Sequence, residues 1–178
     1  MHHVSSTLID RDDIADRVAQ LGAAITARLG PVADGGDLVV VPVLTGSLLF
    51  VADLVRHLPL PFPIRPVGVS AYPGTTTTSH SAALEGPLPE GLAGKTVLLV
   101  DDILDSGRTL HLLQQELSDV GVADVRTCVL LRKEVDRAAD PTCEYIGFDV
   151  PDVFVVGYGL DWDGLFRNLP DIAVIRPQ

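Results

Sequence analysis

The chain has 178 residues, enough for one domain with a sizeable core. Hydrophobic residues make up 47% and aromatics only 5%, a balance that suits an α/β protein built from Val, Leu and Ala. Its net charge of −11, from 24 acidic against 13 basic residues, excludes a broad nucleic-acid-binding face, while an anionic substrate could still be held by backbone amides, a few arginines and a metal.

In chain order, His2 and His3 lead into polar residues rather than an apolar leader, so a soluble cytoplasmic protein is expected. Asp10 to Leu29 reads as a helix. Ile14, Val18, Leu21, Ile25 and Leu29 recur at spacings of three and four, and Asp10 is placed to cap it. Gly30-Pro31 is expected to stop it, and Gly35-Gly36 to turn the chain. Leu38 to Leu44 is a continuous apolar run, as in a strand buried on both faces. Pro42 lacks a ladder donor and belongs near the end of that strand or on an unpaired side. Thr45-Gly46-Ser47 turns the chain into a helix over Leu48 to His57. The segment from Leu38 to Ala52 is uncharged, but it is too short to span a bilayer and is interrupted by Pro42, Gly46 and Ser47. Ile64 to Tyr72 reads as a strand. Pro73 to Ala83 is small and polar without apolar periodicity, which predicts a mobile loop.

The most informative stretch is Val97 to Leu110, VLLVDDILDSGRTL. A buried apolar strand ends in the acids Asp101 and Asp102, then turns through Asp105, Ser106 and Gly107 into a helix beginning near Arg108 and Thr109. The free N–H groups of a helix's first turn, together with its dipole, favour an anion such as phosphate. Gly107 allows close backbone approach. The carboxylates suit sugar hydroxyls, a divalent cation or a proton. Neither GxxxxGK[ST] nor GxGxxG is present here.

The helix continues to Val120 with Leu110, Leu113, Leu117 and Val120 on one face, and Asp124 to Leu131 is a further strand. Cys128 lies in that apolar run as a small core residue, and it and Cys143 lack metal-ligand spacing. Strands alternating with helices imply right-handed crossovers and a mostly parallel twisted sheet, with ligands at the strands' carboxyl ends. Thr45, Gly46, Asp101 and Asp102 all fall there. Lys133 ends its strand on the same side, where a compact ammonium suits a single carbonyl oxygen.

The run from Val97 to Leu110 resembles the phosphoribosyl-pyrophosphate (PRPP) binding motif of type I phosphoribosyltransferases. Ile146 to Ile175, with its core PDVFVVGYGLD and following FRNL, resembles the C-terminal signature of the hypoxanthine-guanine branch. The resemblance implies the type I phosphoribosyltransferase fold as a single domain over residues 1–178, with a core of about 36–135, a hood from the terminal segments and a flexible lid of about 73–84. It implies Mg²⁺-dependent transfer of a 5-phosphoribosyl group from PRPP to hypoxanthine or guanine, in a homodimer or homotetramer.

Site roles follow from the same resemblance. Asp101, Asp102, Asp105, Ser106, Gly107, Arg108 and Thr109 would hold the phosphoribosyl group. Asp105 would accept the purine proton. Leu44, Thr45 and Gly46 would meet pyrophosphate, often through a cis peptide, with Arg167 adding charge. Phe154 would stack on the purine, the Val155 backbone would read its edge, and Lys133 would donate to its C6 oxygen. Asp161 would belong to the purine-binding set and would also join Asp101 and Asp102 in holding magnesium. Tyr72 would open the lid. Two positions depart from the family pattern: Thr45 stands where Lys or Arg is common, and Ala71 precedes Tyr72 where Ser is usual. A PRPP-sensing, RNA-binding regulator on the same fold, and a xanthine-preferring transferase, are the alternative readings. The first would need a basic RNA face.

Overall fold

A computed structural model describes residues 3–73 and 80–176. In order, the elements are β1 (His3–Ile9), α1 (Arg11–Asp34), β2 (Leu38–Leu44), α2 (Leu48–Leu54) with a 3₁₀ turn at Val55–His57, β3 (Val67–Pro73), β4 (His80–Leu84), β5 (Thr96–Leu104), α3 (Arg108–Asp119), β6 (Asp124–Lys133), β7 (Tyr145–Val150), β8 (Val155–Val156) and β9 (Ile172–Arg176). Six strands form one sheet in the order β4-β3-β2-β5-β6-β7, parallel except for β4. A second sheet, β1-β9-β8, is antiparallel. The protein has the α/β architecture, with a mostly parallel sheet between helices.

The apolar runs of β2 and β5 are explained by helices on both faces. Leu38, Val40, Leu98 and Val100 pack into the core under α1 and α2, while Val39, Val41, Val97 and Leu99 pack into the core under α3. Successive residues therefore face opposite layers, and neither face is left for water. Pro42 sits within β2 where its missing donor costs little. Val40 spends both backbone groups on the segment before β3, accepting from Arg65 and donating to Pro63. The period of two points the Pro42 nitrogen to that same side, where laddered pairing resumes only at Val43 opposite Val67.

Three local expectations need correction. α1 does not stop at Gly30-Pro31 but runs to Asp34. Pro31 gives up one N–H, and the burial of Ala33 with the packing of Val32 carries the helix past it. The stop is Gly36, with φ of 75°. There the Gly36 amide donates to Ala33 O and the Asp37 amide to Val32 O, the paired bonds of a Schellman ending. The Asp10 cap forms, its Oδ1 accepting from the amides of Asp12 and Asp13. Second, His80–Leu84 is a strand, paired antiparallel to β3 from Val69 opposite Leu84 to Pro73 opposite His80. The strand is defined by its pairing with β3, and its five residues are too few to show a periodicity in the sequence, although Leu84 packs against the core under α3. Residues 74–79 of the expected lid lie outside the described residues. Third, β1 was not anticipated; it forms against β9 through long-range pairing. Among the described residues no helix is long and apolar enough to cross a membrane.

Candidate active site

β2 and β5 are neighbours, so their carboxyl ends open side by side into a cleft of about 250 Å³. Leu44 and Gly46 line one wall. Asp101, Asp102, Asp105, Ser106, Gly107 and Thr109 line the other. Thr45 and Arg108 flank the cleft without lining it. The Leu44–Thr45 peptide is cis. A methyl group at Gly46 would overlap the Asp102 carboxylate, so this glycine makes room for the acid.

Asp101 is only 6% exposed, and its Oδ1 accepts the Asp102 amide at 3.0 Å. Burial, and then the neighbouring Asp102 charge, hold the Asp101 carboxyl well above the usual carboxylate range. Burial raises Asp102 as well, partly offset by its hydrogen bond with Asp101 and by the Arg167 charge. Two crowded acids in one cleft favour whatever brings hydroxyl donors or a cation to them. Among the described residues there is no cluster of three or more His, Cys, Asp or Glu placed to hold a metal ion. A magnesium site does not need one, because Mg²⁺ usually keeps several waters and takes one or two carboxylates plus substrate oxygens. Asp101 and Asp102 fit that donor set.

α3 starts at Gly107, whose φ of 80° few other residues adopt, and no side chain caps it. A Cβ on Gly107 would also overlap the carbonyl of Ala139, and the Ala139 amide donates to Ser106 O at 3.2 Å. The segment around Ala139 thus braces the turn into α3, a contact the sequence reading missed.

Lys133 reaches the same place from β6. Its Nζ lies 2.9 Å from Asp105 Oδ2 and 3.3 Å from Asp152 Oδ1, with the side chain only 11% exposed. Burial by itself would lower its pKa, but the bonds to Asp105 and Asp152 outweigh it and the net direction is up. Arg137 donates to the Lys133 carbonyl. Asp152 is the missed partner in this cluster.

The second sheet carries the remaining predicted residues. The Ile175 amide donates to Phe154 O at 3.0 Å, and Val155 lies opposite Val174. The antiparallel alternation then turns the Val155 N–H and C=O away from β9, on an edge strand. Phe154 is 47% exposed, its ring meeting Trp162 edge-on. Arg167 pairs with Asp161 at 2.7 Å and donates to Gly159 O, and Asp161 Oδ2 accepts the Gly164 amide. Both Asp161 oxygens are therefore engaged. Gly159 packs so closely on the Gly46 carbonyl that a side chain there would overlap it, which joins this segment to the turn after β2. Tyr72 lies on β3, with its side chain outside the described part.

A family model described as "Phosphoribosyl transferase domain" matches residues 10–163. The hypoxanthine phosphoribosyltransferase of Haemophilus influenzae is 40% identical over 174 residues, covering 98% of this chain and 96% of the relative. The chain belongs to the hypoxanthine-guanine phosphoribosyltransferase family. The hypoxanthine-guanine phosphoribosyltransferase of Mycobacterium avium is 38% identical, over 98% of this chain and 87% of its own. A crystal structure of the hypoxanthine-guanine phosphoribosyltransferase from Bacillus anthracis superposes with a TM-score of 0.87 at 37% identity, covering 97% of this chain and 99% of that one. Membership makes the chain a pentosyl-transferring enzyme of purine salvage, on the type I phosphoribosyltransferase fold.

Proposed function

We propose that the enzyme transfers the 5-phosphoribosyl group of PRPP to a 6-oxopurine, hypoxanthine or guanine, releasing pyrophosphate and a nucleoside monophosphate. The carrying observation is the convergence of Lys133 and Asp105 at 2.9 Å beside the helix mouth at Ser106-Gly107. One group donates to a carbonyl, the other accepts a proton, and both adjoin an anion site. The relatives named above are transferases rather than RNA-binding regulators, which favours the enzyme reading. The family resemblance also supports a homodimer or homotetramer in the cytoplasm.

The 5′-phosphate is received by the first-turn amides of α3 with the hydroxyls of Ser106 and Thr109. Asp101 and Asp102 hold the ribose hydroxyls and would hold Mg²⁺, with Asp161 contributing once it releases Arg167. When bound, the cation supplies charge neutralisation for the leaving polyanion. Gly46 and the adjoining backbone face the pyrophosphate, and Arg167 exchanges Asp161 for it. Phe154 stacks against the base, at about 1–3 kcal/mol in comparable sites. Val155 presents its outward backbone groups to the purine edge, and Lys133 donates to the C6 oxygen. A purine ring nitrogen attacks C1′ as the bond to pyrophosphate breaks, through an oxocarbenium-like sugar. The purine's displaced proton goes to an Asp105 oxygen. As Lys133 turns to the base, Asp105 is released to act, and Asp152 keeps the ammonium in reach. A crystal soaked with a 6-oxopurine nucleotide tests this assignment. The phosphate is expected against Ser106-Gly107, and a phosphate bound elsewhere overturns it.

A further inference from the structure

We infer that Trp162 is a positioning residue for base recognition, acting through Phe154. The inference rests on the reading of Phe154 as the purine's stacking platform. The Phe154 backbone is fixed by its bond from Ile175, but the residue is 47% exposed and its ring needs a lateral stop to present one face in one orientation. Trp162 supplies it. The ring centroids are 4.4 Å apart and the planes meet at 73°, so the edge of one ring rests on the face of the other.

Trp162 is itself held by a short hairpin. Its amide donates to Leu165 O at 3.1 Å and the Leu165 amide donates back to Trp162 O at 3.0 Å. Asp163 and Gly164, with φ of 51° and 75°, are the two central residues, the positive pair that a tight hairpin turn requires. Asp161 Oδ2 ties down the Gly164 amide. The turn that fixes Asp161 for the metal and Arg167 for pyrophosphate thus also fixes the residue that aims Phe154. Base binding and leaving-group binding share one rigid support.

The experiment compares wild type, Trp162→Ala and Trp162→Tyr in steady-state transfer with PRPP, Mg²⁺ and hypoxanthine or guanine. Trp162→Ala should raise the KM for the base roughly three- to tenfold while leaving the KM for PRPP within about twofold. Trp162→Tyr, which keeps an aromatic edge, should restore most of that loss. A purine KM unchanged in Trp162→Ala, or equal rises for base and PRPP, overturns the inference. Should Trp162→Ala fail to fold, Trp162→Leu takes its place under the same criteria. Because Trp162 is the sole tryptophan, wild-type emission gives an independent readout. It should change on saturation with a 6-oxopurine nucleotide and not with ribose 5-phosphate, and an identical response to both counts against the role. Wild type that makes no nucleotide from either base overturns the underlying site reading instead.

Discussion

The Lys133 ammonium lies 2.9 Å from the carboxylate of Asp105. The proposed proton acceptor and the proposed base-binding donor therefore occupy each other. In the proposed mechanism, binding of the purine would separate them, coupling recognition of the C6 oxygen to release of the Asp105 carboxylate.

Substitutions should separate the two roles. Asp105→Asn should lower kcat by about 10²–10³ with the KM for PRPP changed little, as for loss of a proton acceptor. Lys133→Ala should raise the KM for hypoxanthine about tenfold and spare PRPP binding. Initial rates over a grid of both substrate concentrations check this.

Gly46→Ala should disable the cleft. Its methyl group overlaps the Asp102 carboxylate, which must swing away or push the turn after β2 outward. Overpacking of this kind costs roughly 1–3 kcal/mol. Denaturant melts should show that loss, and the residual activity should need higher PRPP concentrations.

Asp101→Asn should stabilise the protein at neutral pH while reducing activity. Burial, then the Asp102 charge, raise the folded-state pKa of Asp101 above its unfolded value. Between those two values the folded protein holds the proton more tightly than the unfolded chain. Stability from this group therefore falls as pH rises through that window. Asparagine keeps the acceptor for the Asp102 amide and removes the charge. The gain is expected at pH 7 and should vanish below the ordinary carboxylate range. Melts at both pH values measure it.

The cysteines should be inert in the native state. Cys128 is fully buried, and burial pushes the Cys143 thiol up to about 11. At pH 8 about one Cys143 in a thousand is thiolate, so alkylation by iodoacetamide should be slow until denaturant is added.

The parts of the fold that were legible in the sequence are those whose pattern is local. β2 and β5 are apolar throughout because each face meets a helix layer, and α3 shows its stripe at Leu110, Leu113 and Leu117. β1 was not legible because it exists through a distant partner, β9, and β4 was not because its five residues, paired to the adjacent β3, are too few to show a periodicity. Pro31 misled because proline punctuates locally, whereas the burial of Ala33 is a tertiary fact. At the site, the anion turn could be read from VDD and SGRT alone. The separate roles of Lys133 and Asp105 came from the family resemblance, but their meeting at 2.9 Å did not, because it joins the end of β6 to the turn before α3. Asp152 and Trp162 were missed although the Asp163-Gly164 pair, a strong hairpin signal, placed Trp162 opposite Leu165.

The most direct measurement is incubation of the protein with PRPP, Mg²⁺ and, separately, hypoxanthine, guanine, xanthine and adenine, with nucleotide and pyrophosphate quantified. Hypoxanthine or guanine should yield both products in equal amounts, adenine should yield neither, and excess chelator should stop the reaction. Turnover of adenine alone, or of no 6-oxopurine at all, would contradict transfer to a 6-oxopurine held between Lys133 and Phe154.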